Sequence, residues 1–207
     1  MEEKDKKKKE KRVMSEFRVF VTDEKGKVVR DTGTKECKSF VKQFLVGILT
    51  DLSMHGRTCK DVNGEEFTIS PTRHFGTSWT CYGLFSDNAG AGGDGYGIQV
   101  GRDDTTPTNE DFKLLDKIAH GDGAGQLEYG EMVFYDVIEH EGYMKFSFTR
   151  TFLNNSGATI TVKEIGLVTH LHFNNKNCLW LRDVLSPPVD VEQGKTLTVQ
   201  YTIKTKA

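Results

Sequence analysis

The chain has 207 residues, a formal net charge of -2, 36% hydrophobic residues and 10% aromatic residues. That length suits one generous domain, and thirteen Phe, six Tyr and two Trp supply enough large apolar groups for a core. The near-neutral charge gives no global reason to expect nucleic-acid or anionic-membrane binding, both of which select a large basic excess. No apolar run approaches the roughly 20 residues that span a bilayer, and no signal-peptide core follows the N-terminus, so a soluble protein without an export signal is expected.

The first residues, MEEKDKKKKEKR, hold no apolar side chain after Met1 and mix acid with base. Such a stretch gains nothing from burial in a core, so residues 1–13 read as a charged arm preceding a single β-rich domain over 14–207. Its basic residues Lys6, Lys7, Lys8, Lys9, Lys11 and Arg12 are the candidate partner contacts. Their target is an acidic neighbouring protein or, through the arm alone, nucleic acid; a merely solubilising terminus is the plain alternative.

In EFRVFVTDEKGKVV, residues Phe17, Val19 and Val21 alternate toward one side, Glu24-Lys25-Gly26 turns, and Val28 returns. That pattern predicts a hairpin. The next segment, about 37–54, places Phe40, Val41, Phe44, Leu45, Ile48, Leu49 and Leu52 at steps of three and four, which predicts one amphipathic helix with its wide stripe buried against a sheet. Short strands are then expected at Phe67–Ser70 and Trp79–Phe85, followed by a turn-rich loop, DNAGAGGDGYG, over 87–97. The loop lacks both the EF-hand pattern and the GK[ST] of a phosphate loop.

Strands are expected again at Gln126–Ile138 and Tyr143–Phe152, with Met144, Phe146, Phe148 and Phe152 on one face. Arg150 breaks that apolar phase, which suggests that it sits at a sheet end or pairs with Glu164, which breaks the phase of Ile160 and Val162 across the turn at Asn154–Gly157. The phase shift to Ile165 and Leu167 predicts a bulge near Lys163 and Glu164. Leu179, Leu181, Val189 and Val191, a turn at Gln193-Gly194, and the alternation Leu197, Val199, Tyr201, Ile203 complete the pattern. So many short strands with one helix predict a mainly β fold, an antiparallel β-sandwich or jelly-roll-like domain.

Candidate chemistry is thin. His170 and His172, two apart on a strand, could share a metal with His140 or Cys178, but nothing local fixes a third ligand. Cys37, Cys59, Cys81 and Cys178 lack CxxC spacing and read as scattered reduced thiols. No GxSxG elbow occurs, and the acidic pairs Glu139/Glu141 and Asp103/Asp104 read as solvated loop residues. No catalytic residue, cofactor or metal site is assigned, and the chain is not expected to be an enzyme. A carbohydrate-binding or receptor-binding module would need a platform from Trp79, Tyr82 or Tyr96.

Three stretches carry a resemblance: GIQVGRDDTTPTNEDFKLLDKIAHGDGAGQLEYG from Gly97, FTRTFLNNSGATITVKEIGLV from Phe148, and GKTLTVQYTIK from Gly194. Together they resemble a broad group of tailed-bacteriophage virion proteins, and SFVKQFLVGIL from Ser39 is similar to the helix such proteins carry after a first hairpin. The resemblance implies a particle component without enzymatic activity, located in the virion and assembled in the host cytoplasm. Its expected partners are other copies of itself and the major capsid or tail proteins. A capsid decoration or cement role is the leading expectation; a tail, neck or baseplate position is the alternative.

Overall fold

The computed structural model describes residues 13–37, 39–53, 55–69, 89–171 and 174–206. The expected strand at Trp79–Phe85, the arm residues Lys6, Lys7, Lys8, Lys9, Lys11 and Arg12, and His172 and Cys81 lie outside them. The protein is mainly β, with antiparallel sheets and one short helix.

β1 (Val13–Thr22) and β2 (Val28–Glu36) form the expected hairpin about Gly26, whose positive φ of 77° suits glycine. β1 pairs without interruption with the last strand, β10 (Thr196–Thr205), from Val13↔Thr205 to Thr22↔Thr196. β10 pairs in turn with β7 (Tyr143–Leu153), and β7 with β6 (Glu128–His140), giving a five-stranded sheet ordered β2-β1-β10-β7-β6. A second sheet is ordered β5-β8-β9, from β5 (Gly97–Gly101), β8 (Ile160–Leu171) and β9 (Lys176–Val191). The bulge expected near Lys163 and Glu164 lies between Val162 and Glu164 in the β8–β9 register. β3 (Arg57–Lys60) and β4 (Glu66–Ile69) make a small separate hairpin.

One apolar cluster joins the two larger sheets. Phe17, Val19, Val21, Phe148, Phe152, Leu197, Val199 and Tyr201 enter it from the first sheet, and Ile98, Val100, Val162, Ile165, Leu181 and Val189 from the second. Period-two alternation produces this directly, since one face of each strand carries the apolar set.

Helix α1 (Lys42–Ser53) is shorter than the expected span and is turned differently. Val41 and the polar Gln43 and Thr50 are buried, whereas Leu45, Leu49 and Leu52 are 65%, 46% and 79% exposed. The apolar stripe is wider than the surface available to cover it. Phe40, Phe44 and Trp180 stack together where the helix meets β9, with Phe44 and Trp180 centroids 5.3 Å apart, and this contact sets the rotation.

Candidate functional site

Two buried arginines build the framework from which the surface features project. Arg182 of β9 is fully buried and is surrounded by three carboxylates: Nε donates to Glu164 at 2.7 Å, Nη1 to Asp111 at 3.0 Å and Nη2 to Asp103 at 3.1 Å. Nη1 also donates to the Thr105 carbonyl at 3.1 Å. The same Glu164 Oε2 also accepts from the Leu115 amide, and Oε1 accepts from the Asp116 amide. The segment between β5 and β6 is thus held by a planar donor fork whose directions match several acceptors at once. Its apolar anchors are uneven: Leu114 is buried, Phe112 is half-buried beneath Lys60, and Leu115 is 45% exposed.

Arg150 does not pair with Glu164, contrary to one reading of the phase breaks. It points between the sheets into the loop before β5, where its guanidinium donates to the carbonyls of Tyr96, Ile98, Gly130, Gly90 and Gly93, over the Tyr129 ring. Burial pulls its pKa below the ordinary guanidinium value. The sequence signal for Arg182 was a charge, beside Asp183, set among Leu179, Trp180, Leu181 and Leu185; it was the partner that strand phase could not supply.

The residues singled out for chemistry are dispersed. His170 Nδ1 lies 2.7 Å from Asn177 Oδ1 and its ring stacks on Tyr96 at 5.2 Å, so Tyr96 is engaged inside the fold. His140 sits at the β6–β7 turn beside Glu141, in the exposed tip that also carries Glu139. Asp103 is bound to Arg182 and Asp104 to Lys163. Cys178 is buried against Cys59. Among the described residues no group of three or more His, Cys, Asp or Glu side chains is placed to hold a metal ion.

The surface feature that stands out is the β6–β7 hairpin. Val133, Phe134, Tyr135, Val137 and Ile138 of β6 and Met144 of β7 are 41–61% exposed. The cause is geometric. β6 ends the five-stranded sheet, and beyond Met132 none of its residues belongs to the apolar cluster that joins the two larger sheets. Phe134 stacks on Phe148 at 5.7 Å yet remains half open, while Val133, Tyr135 and Ile138 line a groove of ≈500 Å³ together with Phe20 and Phe146.

β6 is also the end strand of its sheet. Its first half is covered, because Met132 N donates to Ala89 O at 2.9 Å and Gly92 N donates to Tyr129 O at 2.8 Å. Among the described residues no strand pairs with the outer edge of its second half, 133–140. A long apolar edge with free backbone donors and acceptors is a template for another chain. Comparison of the chain with protein families, curated proteins and solved structures gives no match.

Proposed function

We propose that this protein is a structural subunit of a tailed-bacteriophage particle, without enzymatic activity, acting as a decoration or cement protein of the head through repeated contacts with copies of itself and with the capsid. In this reading the two facing sheets form a jelly-roll-like sandwich, and the basic arm reaches a neighbouring subunit. The observation that carries the proposal is the β6–β7 hairpin, where exposed Phe134, Tyr135, Val137 and Ile138 adjoin an open strand edge. An isolated soluble domain rarely leaves so many large apolar side chains of one hairpin bare, whereas a subunit that meets partners in an assembly requires them. The resemblance of the Gly97, Phe148 and Gly194 stretches to virion proteins supplies the kind of assembly.

Covering the exposed halves of these side chains contributes on the order of 1 kcal/mol each, a weak contact that becomes strong when repeated through a symmetric lattice. The test is quantitative mass spectrometry of purified particles, combined with cryo-electron microscopy to place the chain. Many copies following the capsid lattice are expected. A small ring at one vertex would move the protein to the neck or tail, and absence from particles would overturn the proposal.

A further inference from the structure

The β3–β4 hairpin is joined to the rest of the molecule through its own small apolar cluster, in which Cys59, Ile69, Leu171 and Cys178 are buried and Val46 and Phe67 pack alongside. Cys59 comes from β3 and Cys178 from the start of β9, 119 positions away in the chain. Their Sγ atoms are nevertheless 3.7 Å apart, in direct contact. A disulfide needs about 2.05 Å, a gap that side-chain rotation and a small shift of the hairpin close.

The two thiols are unlike. Cys59 lines a cavity of ≈300 Å³ between α1 and the hairpin, with Lys42, Lys60, Glu66 and Glu110 also on its wall. Cys178 lies at 1% exposure and does not line that cavity. The hydrogen bond from Cys178, acting against burial, favours the thiolate at Cys59; the same bond, reinforced by burial, holds the Cys178 thiol up. One sulfur is therefore placed to meet a small solute and the other to follow it.

We infer that Cys59 and Cys178 form a peroxide-responsive pair, in which Cys59 is the thiol that attacks the peroxide, Cys178 the resolving thiol, and the product a disulfide tying β3 to β9. The Cys59 thiolate attacks one peroxide oxygen and the O–O bond breaks; the departing hydroxide takes a proton and leaves as water, giving a sulfenic acid at Cys59. The Cys178 sulfur then attacks the Cys59 sulfur, its proton goes to the departing hydroxide, and a second water leaves. Two thiols lose two electrons in all and one peroxide gains them. A dithiol reductant reverses the product by exchange.

The test uses the native 207-residue chain, folded in neutral buffer, with hydrogen peroxide and then dithiothreitol. Oxidation is expected to lower the intact mass by about 2 Da, for two hydrogens lost. Peptide mapping should give a Cys59–Cys178 linkage with both thiols closed to alkylation, and dithiothreitol should restore them. In Cys178→Ala, a cyclic 1,3-dione should trap the sulfenic acid at Cys59. Cys59 and Cys178 that stay alkylatable, a linkage of either to Cys37 or Cys81, or oxidation of Cys59 past sulfenic acid without a link would overturn the inference. The mapping on the native chain decides it even if the alanine variant fails to fold.

Discussion

At the scale of single residues, the most consequential side chain is Arg182. It is fully buried and holds Glu164, also fully buried, together with Asp103 and Asp111. Replacing the whole network with apolar groups could be neutral, but removing only its cation leaves a buried carboxylate uncompensated. Arg182→Met, which keeps the aliphatic stem, is therefore expected to destabilise the protein by about 3–5 kcal/mol, read from the guanidinium unfolding midpoint at constant m-value. Lys163→Met, which breaks the exposed pair with Asp104, should leave the same midpoint unchanged within the error of the measurement. Equal effects from the two substitutions would show that the Arg182 network is solvated and contributes little.

At the scale of elements, the β3–β4 hairpin depends on a charged clasp as well as its small apolar cluster. Asp61, 1% exposed, caps the turn by accepting from the Asn63 and Glu65 amides and receives Lys176 Nζ at 3.0 Å. Burial works against its ionisation, but the Lys176 and amide hydrogen bonds outweigh burial and hold its pKa below the ordinary carboxylate value. A depressed folded-state pKa means that the stabilisation is fully present above the unfolded value of about 3.9 and is lost as pH falls through the folded value. Wild type should thus lose more stability between pH 6 and pH 3 than Asp61→Asn, which keeps the amide acceptor but has nothing to titrate there. Parallel unfolding midpoints for the two proteins across that range would refute the clasp. The elements also show what the sequence disclosed. Alternation in β1, β7 and β10 and the phase shift at Glu164 were readable because one strand face is buried and a slip inverts it. The rotation of α1 was not readable, since seven apolar residues cover more of its circumference than the Phe40, Phe44 and Trp180 contact can bury. Nor was the meeting of Cys59 with Cys178, which depends on how two distant segments pack rather than on either segment's pattern.

At the scale of the whole molecule, the two larger sheets are unequal, and the proposed partner surface lies on the wider one. Among the described residues the far half of β6 lies outside the apolar cluster that joins the sheets, and no strand pairs with its edge 133–140, beyond the stretch that Ala89 and Gly92 cover. Two copies pairing β6 with β6 along this edge would bring Asp136 and Glu139 of each strand together, and like charges disfavour such a contact. A head-to-tail contact, with this edge against a different surface of the next subunit, avoids the repulsion and propagates through rings or lattices as the proposed role requires. Tyr135→Lys combined with Val137→Lys tests this. Both side chains are more than half exposed, so the fold should keep its unfolding midpoint within about 1 kcal/mol. Incorporation into particles, scored against wild type in the same complementation experiment, should fall by at least about tenfold, since each lost contact is repeated at every subunit. A folded double variant that incorporates at the wild-type level would place the partner surface elsewhere.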